Sequence, residues 1–251
     1  MTDVNHNTDG RTYKAIFFDM DGTLLPMDTD EFLQAYFKEI TCYFADLGYE
    51  NPKELLDCVL KGTMAACKPH PDVLNAGVFW QTFSSLSGIS RKGFEDRMQK
   101  FYEGPYNNIG KDLESCSTSA AILRTLKEKG YPLYLTTMPL FPSIAVTQRL
   151  RWVGIDAGVF EYLTTYENSY EVKPSLDYYR RVIDRAGVLP KDVLMVGNHT
   201  TEDLAILELG CDAYLVCDHL IDKVSYDLST VKHGSLQDFY EFVLSLPAIQ
   251  K

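Results

Sequence analysis

The chain has 251 residues, 45% of them hydrophobic and 24% charged, and a formal net charge of −11. That is the composition of a globular protein with a sizeable core. The acidic balance excludes a nucleic-acid backbone or an anionic membrane surface as the main partner, because both demand basic patches. The polar start, MTDVNHNTDGRTYK, has no apolar centre to act as a signal or anchor, and no apolar run approaches the roughly 18 residues of a membrane span. Six cysteines (42, 58, 67, 116, 211, 217) are scattered without a C-x-x-C pair. The expectation is a cytoplasmic protein with reduced thiols.

In chain order, Ile16-Phe17-Phe18 reads as a strand covered on both faces. It runs into Asp19, Asp21, Gly22 and Thr23. The pattern then turns helical. Phe32, Tyr36, Ile40, Phe44 and Leu47 form one stripe at helical spacing, with Asp28 and Glu31 as an N-terminal cap and Gly48 as the stop. Residues 52–67, 71–88 and 91–104 are further helices, and 103–112, rich in Gly, Pro and Asn, reads as a linker. From 114 the rhythm alternates: helix 114–130, strand 131–135, helix 143–154, strand 158–163, helix 175–187, strand 192–197, a helix around 201–210, strand 213–216 and a last helix at 235–246. Alternating strands and helices predict a doubly wound parallel α/β sheet. The core is expected over 1–26 and 114–251, interrupted by an all-helical insertion at 27–113.

Ligands of such sheets bind beyond the carboxyl ends of the strands. The first strand delivers Asp19 and Asp21 there, and the second Thr136 and Thr137, of which Thr136 is expected to face the pocket. The third leads to Lys173-Pro174 at a helix start, and the fourth to Asn198 with Glu202 and Asp203 behind it. A calcium loop of the EF-hand kind does not fit, since it needs a preceding helix and a glycine at its sixth position. His199 reads as a loop residue. Asn198 and Asp203 also admit plainer roles, as a turn residue and a first-turn acid facing a helix dipole. Gly62 and its small neighbours admit close approach of a substrate, or ordinary helix packing.

D-x-D-G-T-L after an apolar strand, a strand-terminal Thr, Lys-Pro opening a helix and V-G-x-x-x-x-x-D resemble, in order and spacing, the four motifs of the haloacid-dehalogenase-like superfamily. The insertion resembles that superfamily's helical cap of the first type. The resemblance implies a Rossmann-like core with an inserted cap domain, acting as a Mg²⁺-dependent phosphatase on a small-molecule phosphate monoester. It implies catalytic roles for Asp19, Asp21, Thr136 and Lys173, and metal ligands from Asp19, the Asp21 carbonyl, Asn198 and Asp203. The chemistry agrees: a carboxylate can attack phosphorus and split one displacement into two, and a second acid can move the proton. The fourth motif departs from the pattern, with Asn198 where an acid is usual, which removes one negative charge from the metal site. Phosphomutase chemistry on the same core, or a weakened module that only binds a phosphorylated ligand, are the competing expectations.

Overall fold

The computed structural model describes residues 10–70, 72–113 and 116–249. Six parallel strands are β1 (Ala15–Phe18), β2 (Leu133–Leu135), β3 (Tyr162–Leu163), β4 (Val193–Gly197), β5 (Asp212–Val216) and β6 (Lys232–Gly234), in the order β3-β2-β1-β4-β5-β6. The chain starts at the centre, builds outward through β2 and β3, then returns to the other side of β1. Strand order therefore reverses at β1, which opens a crevice above its carboxyl end.

The two-residue period of a strand shows in how β1 divides its side chains. Ile16 and Phe18 join one apolar layer with α6 (Ser117–Glu128), α7 (Ser143–Trp152) and α9 (Leu236–Ser245). Ala15 and Phe17 join a second with α8 (Leu176–Ala186) and the 3₁₀ turn Leu204–Leu209. Helices on both faces make the sheet doubly wound, as its unbroken apolar strands require.

Between β1 and α6 run α1 (Thr29–Asp46), α2 (Pro52–Ala66), α3 (Asn75–Ser87), α4 (Arg91–Glu103) and the short α5 (Asn107–Gly110). They close around a third apolar cluster, dominated by rings. Asp28 caps α1 as expected, accepting from the N–H groups of Asp30 and Glu31. Gly62 lies against the Phe79 ring, where an added Cβ would come within 2.9 Å, so it serves the packing of α2 on α3.

Four expectations are corrected. Leu47 is 38% exposed, because α1 ends one residue before it. The stretch 103–112 is not a bare linker: Tyr106 is fully buried in the ring cluster, and Gly110 passes so close to Trp152 that no side chain would fit there. The segment near 201–210 is a 3₁₀ turn rather than an α-helix. β6 lies in a half-buried edge stretch without an apolar run to announce it. The predicted helix starts at 71 and 114 fall outside the described residues; the helices themselves begin at Asn75 and Ser117.

Candidate active site

Asp19 takes the last rung beside β1, its N–H donating to Val196 O at 2.8 Å. Its side chain meets Lys173, whose Nζ donates to Asp19 Oδ1 at 2.6 Å and to Asp203 Oδ1 at 2.7 Å. The Lys173 side chain is 1% exposed. Burial opposes its charge, but Asp19 and Asp203 outweigh burial and hold it protonated well above the usual lysine range. Asp203 Oδ2 accepts from the main-chain N–H groups of Asn198 (3.0 Å) and His199 (2.9 Å). Only a glycine at 197 lets that carboxylate tuck back, since a Cβ there would lie 2.2 Å from Asp203 Oδ2.

Asp19 is pushed up from the ordinary aspartate range to about 7. Burial is the main cause, Asp203 and Asp21 add to it, and Lys173 opposes it.

Asp21 has its own cation, one that the motifs do not contain. Arg149 on α7 donates from Nη1 to Asp21 Oδ2 at 2.6 Å, with its side chain 1% exposed. The guanidinium carbon stands 5.2 Å from the Phe32 ring centroid and 4.6 Å from that of Phe141. Its Nε and Nη2 have no hydrogen-bond partner, and neither has Asp21 Oδ1. A signal for Arg149 does exist in the sequence. It shares the buried stripe of α7 with Ala145, Val146 and Leu150, and a cation at an apolar helix position demands a buried acid.

The turn that brings Asp21 beside Asp19 uses Gly22 at φ +76°, a conformation glycine adopts freely. A Cβ there would also strike the Asn198 amide. That amide is engaged on both ends: Nδ2 donates to His219 O, and Oδ1 accepts a long bond of 3.4 Å from Thr23 Oγ1. His199 Nδ1 accepts the N–H groups of Thr201 and Glu202, so the histidine folds the loop locally.

These groups surround a cavity of about 270 Å³ lined by Asp19, Asp21, Thr137, Asn198, Glu202 and Asp203 among others, with Asp28 and Asp30 from the start of α1. The threonine register differs from expectation. Thr136 Oγ1 turns onto Phe18 O (3.2 Å) and Met195 Sδ (3.4 Å), whereas Thr137 lines the cavity with a buried, unpartnered hydroxyl. β2 ends at Leu135, so its alternation does not extend to either threonine. Thr137 is fixed through its carbonyl, which accepts from Thr164 Oγ1 and Tyr178 Oη, each at 2.9 Å. Glu202 is raised by burial, against the pull of His199 and Lys173.

Among the described residues no cluster of three or more His, Cys, Asp or Glu is arranged to hold a metal. A hard dication such as Mg²⁺ needs less than that, since one or two carboxylates beside waters and phosphate suffice. Asp19, Asp21 and Asn198 bring oxygen ligands to the cavity, beside His199 and Lys223. The donor set fits.

Comparison with known proteins agrees with the geometry. The sequence profile of the haloacid dehalogenase-like hydrolases matches residues 13–209. The chain is 28% identical over 214 residues to a glyceraldehyde 3-phosphate phosphatase of Methanothermobacter thermautotrophicus, covering 83% of this chain and 88% of that one. It is also 28% identical over 203 residues to a phosphoglycolate phosphatase of Pasteurella multocida, covering 79% and 83%. In fold it is similar to a crystal structure of a HAD phosphatase from Thermococcus onnurineus, with a TM-score of 0.57 and 18% identity over 94% of this chain and 100% of that one.

Proposed function

The chain belongs to the haloacid dehalogenase-like hydrolases, and from that premise we propose that it hydrolyses a phosphate monoester of a small molecule through an aspartyl-phosphate on Asp19. The observation that carries this reading is buried Lys173 held between Asp19 and Asp203, two carboxylates that line the cavity. A buried ammonium fixes the attacking carboxylate and offsets the charge of a phosphoryl group brought against it. Relatives named as phosphatases support the same chemistry.

In this scheme Asp19 attacks phosphorus, the P–O(Asp19) bond forms, and the bond to the leaving alcohol breaks. Asp21 gives that alkoxide a proton, then takes one from the water that attacks the aspartyl-phosphate and frees Asp19. Arg149 binds one Asp21 oxygen and leaves Oδ1 bare, the oxygen able to carry the proton. The hydroxyl donor to the phosphoryl group is Thr137 rather than Thr136, whose hydroxyl is engaged with Phe18 and Met195. Mg²⁺ would be held by Asp19, the Asp21 carbonyl and Asn198 Oδ1, where it supplies positive charge against the phosphate oxygens. Asp203 anchors Lys173 instead of binding metal, since both of its oxygens are engaged. Residues 27–113 form the cap, and residues 1–26 with 114–251 the catalytic core. Six free thiols suit a reducing, cytoplasmic setting.

Phosphate release from p-nitrophenyl phosphate with Mg²⁺ tests the reading. Turnover by the native chain is expected, and none by Asp19→Asn. Comparable turnover by both would contradict it. A native chain that binds phosphate without turnover would favour the weakened binding module, for which the neutral Asn198 is the supporting observation.

A further inference from the structure

A second cavity, of about 350 Å³, lies within the helical insertion, walled by α1, α2, α3, α4 and the loop after β2. Leu33, Phe37, Val59, Thr63, Phe79 and Phe141 are among its lining residues, and none of the lining side chains is charged. Of its few polar groups, Tyr36 and Tyr102 share a bond of 3.2 Å and Thr63 Oγ1 donates to Val59 O at 3.0 Å, which leaves the Tyr166 hydroxyl and the buried, unpartnered Trp80 Nε1. Leu33 and Phe37 stand beside the buried stripe of α1 and remain half-buried, so the ring cluster does not consume them. Room of this size with so few polar partners suits an apolar ligand group.

The cavity adjoins the carboxylates through shared elements. α1 lines the charged pocket with Asp28 and Asp30, and one turn later lines the apolar cavity with Leu33 and Tyr36, about 4.5 Å further along the helix axis from Asp30 to Leu33. The loop after β2 does the same, with Thr137 and Met138 in the first and Leu140, Phe141 and Pro142 in the second. Arg149 is buried in the wall between the two and lines neither, 2.6 Å from Asp21 and 4.6 Å from the Phe141 ring.

We infer that this cavity receives the hydrocarbon part of the substrate, so that the substrate class is the phosphate monoester of an apolar alcohol several carbons long. This rests on the phosphatase reading and narrows it. A sugar or polyol phosphate would place several hydroxyls against walls that offer only the Trp80 Nε1 and the Tyr166 hydroxyl as partners, which disfavours that class. The curated relatives are named for glyceraldehyde 3-phosphate and phosphoglycolate, so the inference sets this chain apart from them.

Kinetics on n-alkyl phosphates from ethyl to octyl test it, using the native chain, Thr63→Trp and Leu33→Trp, each checked for native circular dichroism. The expected result is a kcat/KM that climbs roughly three- to fourfold per methylene until the cavity is full, with the climb flattened in both filled variants. A flat series in the native chain while ethyl phosphate is still hydrolysed overturns the inference and leaves the phosphatase reading standing. An equal climb in the filled variants also overturns it. If no ester turns over, the phosphatase reading is what fails, and calorimetry with 1-hexanol decides the cavity. Saturable binding to the native chain and not to the filled variants supports the inference, and its absence overturns it.

Discussion

At the carboxyl edge of the sheet, three carboxylates and two cations form two ion-pair groups, Lys173 with Asp19 and Asp203 and Arg149 with Asp21, and single atoms decide the arrangement. In the helical insertion the buried groups are largely rings, several of them stacked or edge-on at 4.6–6.4 Å. The first region depends on each named residue, because an ion left alone in a buried site is costly. The second depends on volume and pattern, and tolerates exchanges that conserve both. Arg149 belongs to both: its charge answers Asp21, while its faces meet Phe32 and Phe141.

The largest effect that would sharpen this contrast comes from Asp19. Replacing it by Asn is expected to reduce turnover on the order of 10⁴-fold or more, as loss of a nucleophile does. The same residue sets a pH dependence. Its folded pKa is raised to about 7, so between the ordinary aspartate value and 7 the folded state holds a proton the unfolded state has lost. Folding stability should therefore fall as pH rises through that window, and Asp19→Asn should be more stable than the native chain at pH 8. Denaturant melts of the metal-free chain from pH 5 to 9 check both. A native chain whose stability climbs through this window would contradict the assignment.

Lys173→Met leaves two buried carboxylates facing each other, and is expected to destabilise the fold by about 3–5 kcal/mol. Adding Asp203→Asn should recover part of that loss, because one of the two stranded charges is removed. If the double variant is no more stable than the single one, Lys173 is not the shared counter-ion. Arg149→Met tests the residue common to both regions. It strands Asp21 without its counter-ion and removes a desolvated cation from between two rings, and is expected to cost about 3 kcal/mol. An unchanged urea midpoint would mean that the rings gain nothing from the charge. A smaller effect separates the threonines. Thr137→Val should lower turnover up to about tenfold, the worth of one hydrogen bond, and Thr136→Val should do so less. The reverse order would restore Thr136 to the phosphoryl group.

The same contrast explains what sequence reasoning reached. Strand ends carrying Asp19, Lys173 and Asn198 stand out because polar residues interrupt apolar runs, and the structure brings Asp19, Asp21, Lys173 and Asp203 together as expected. For Arg149 the sequence shows a cation on an apolar helix stripe but not its partner, which is 128 residues away. Which threonine faces the cavity is not legible from alternation, because β2 ends at Leu135. Tyr106 was hidden by neighbours whose composition resembles a linker, although its ring reaches the centre of the aromatic cluster. The edge strand β6 is too short and too polar to show a period.

The most direct test of the central claim is to trap the phosphorylated enzyme. Turnover with an alkyl phosphate and Mg²⁺ is quenched in acid, reduced with borohydride, and the peptide that contains residue 19 is read by mass spectrometry. An acyl phosphate is reduced under these conditions to the alcohol, so Asp19 is expected to appear as homoserine, only when the ester was present. Continued phosphate release with Asp19 recovered unmodified, or with the label on another residue, would contradict the account.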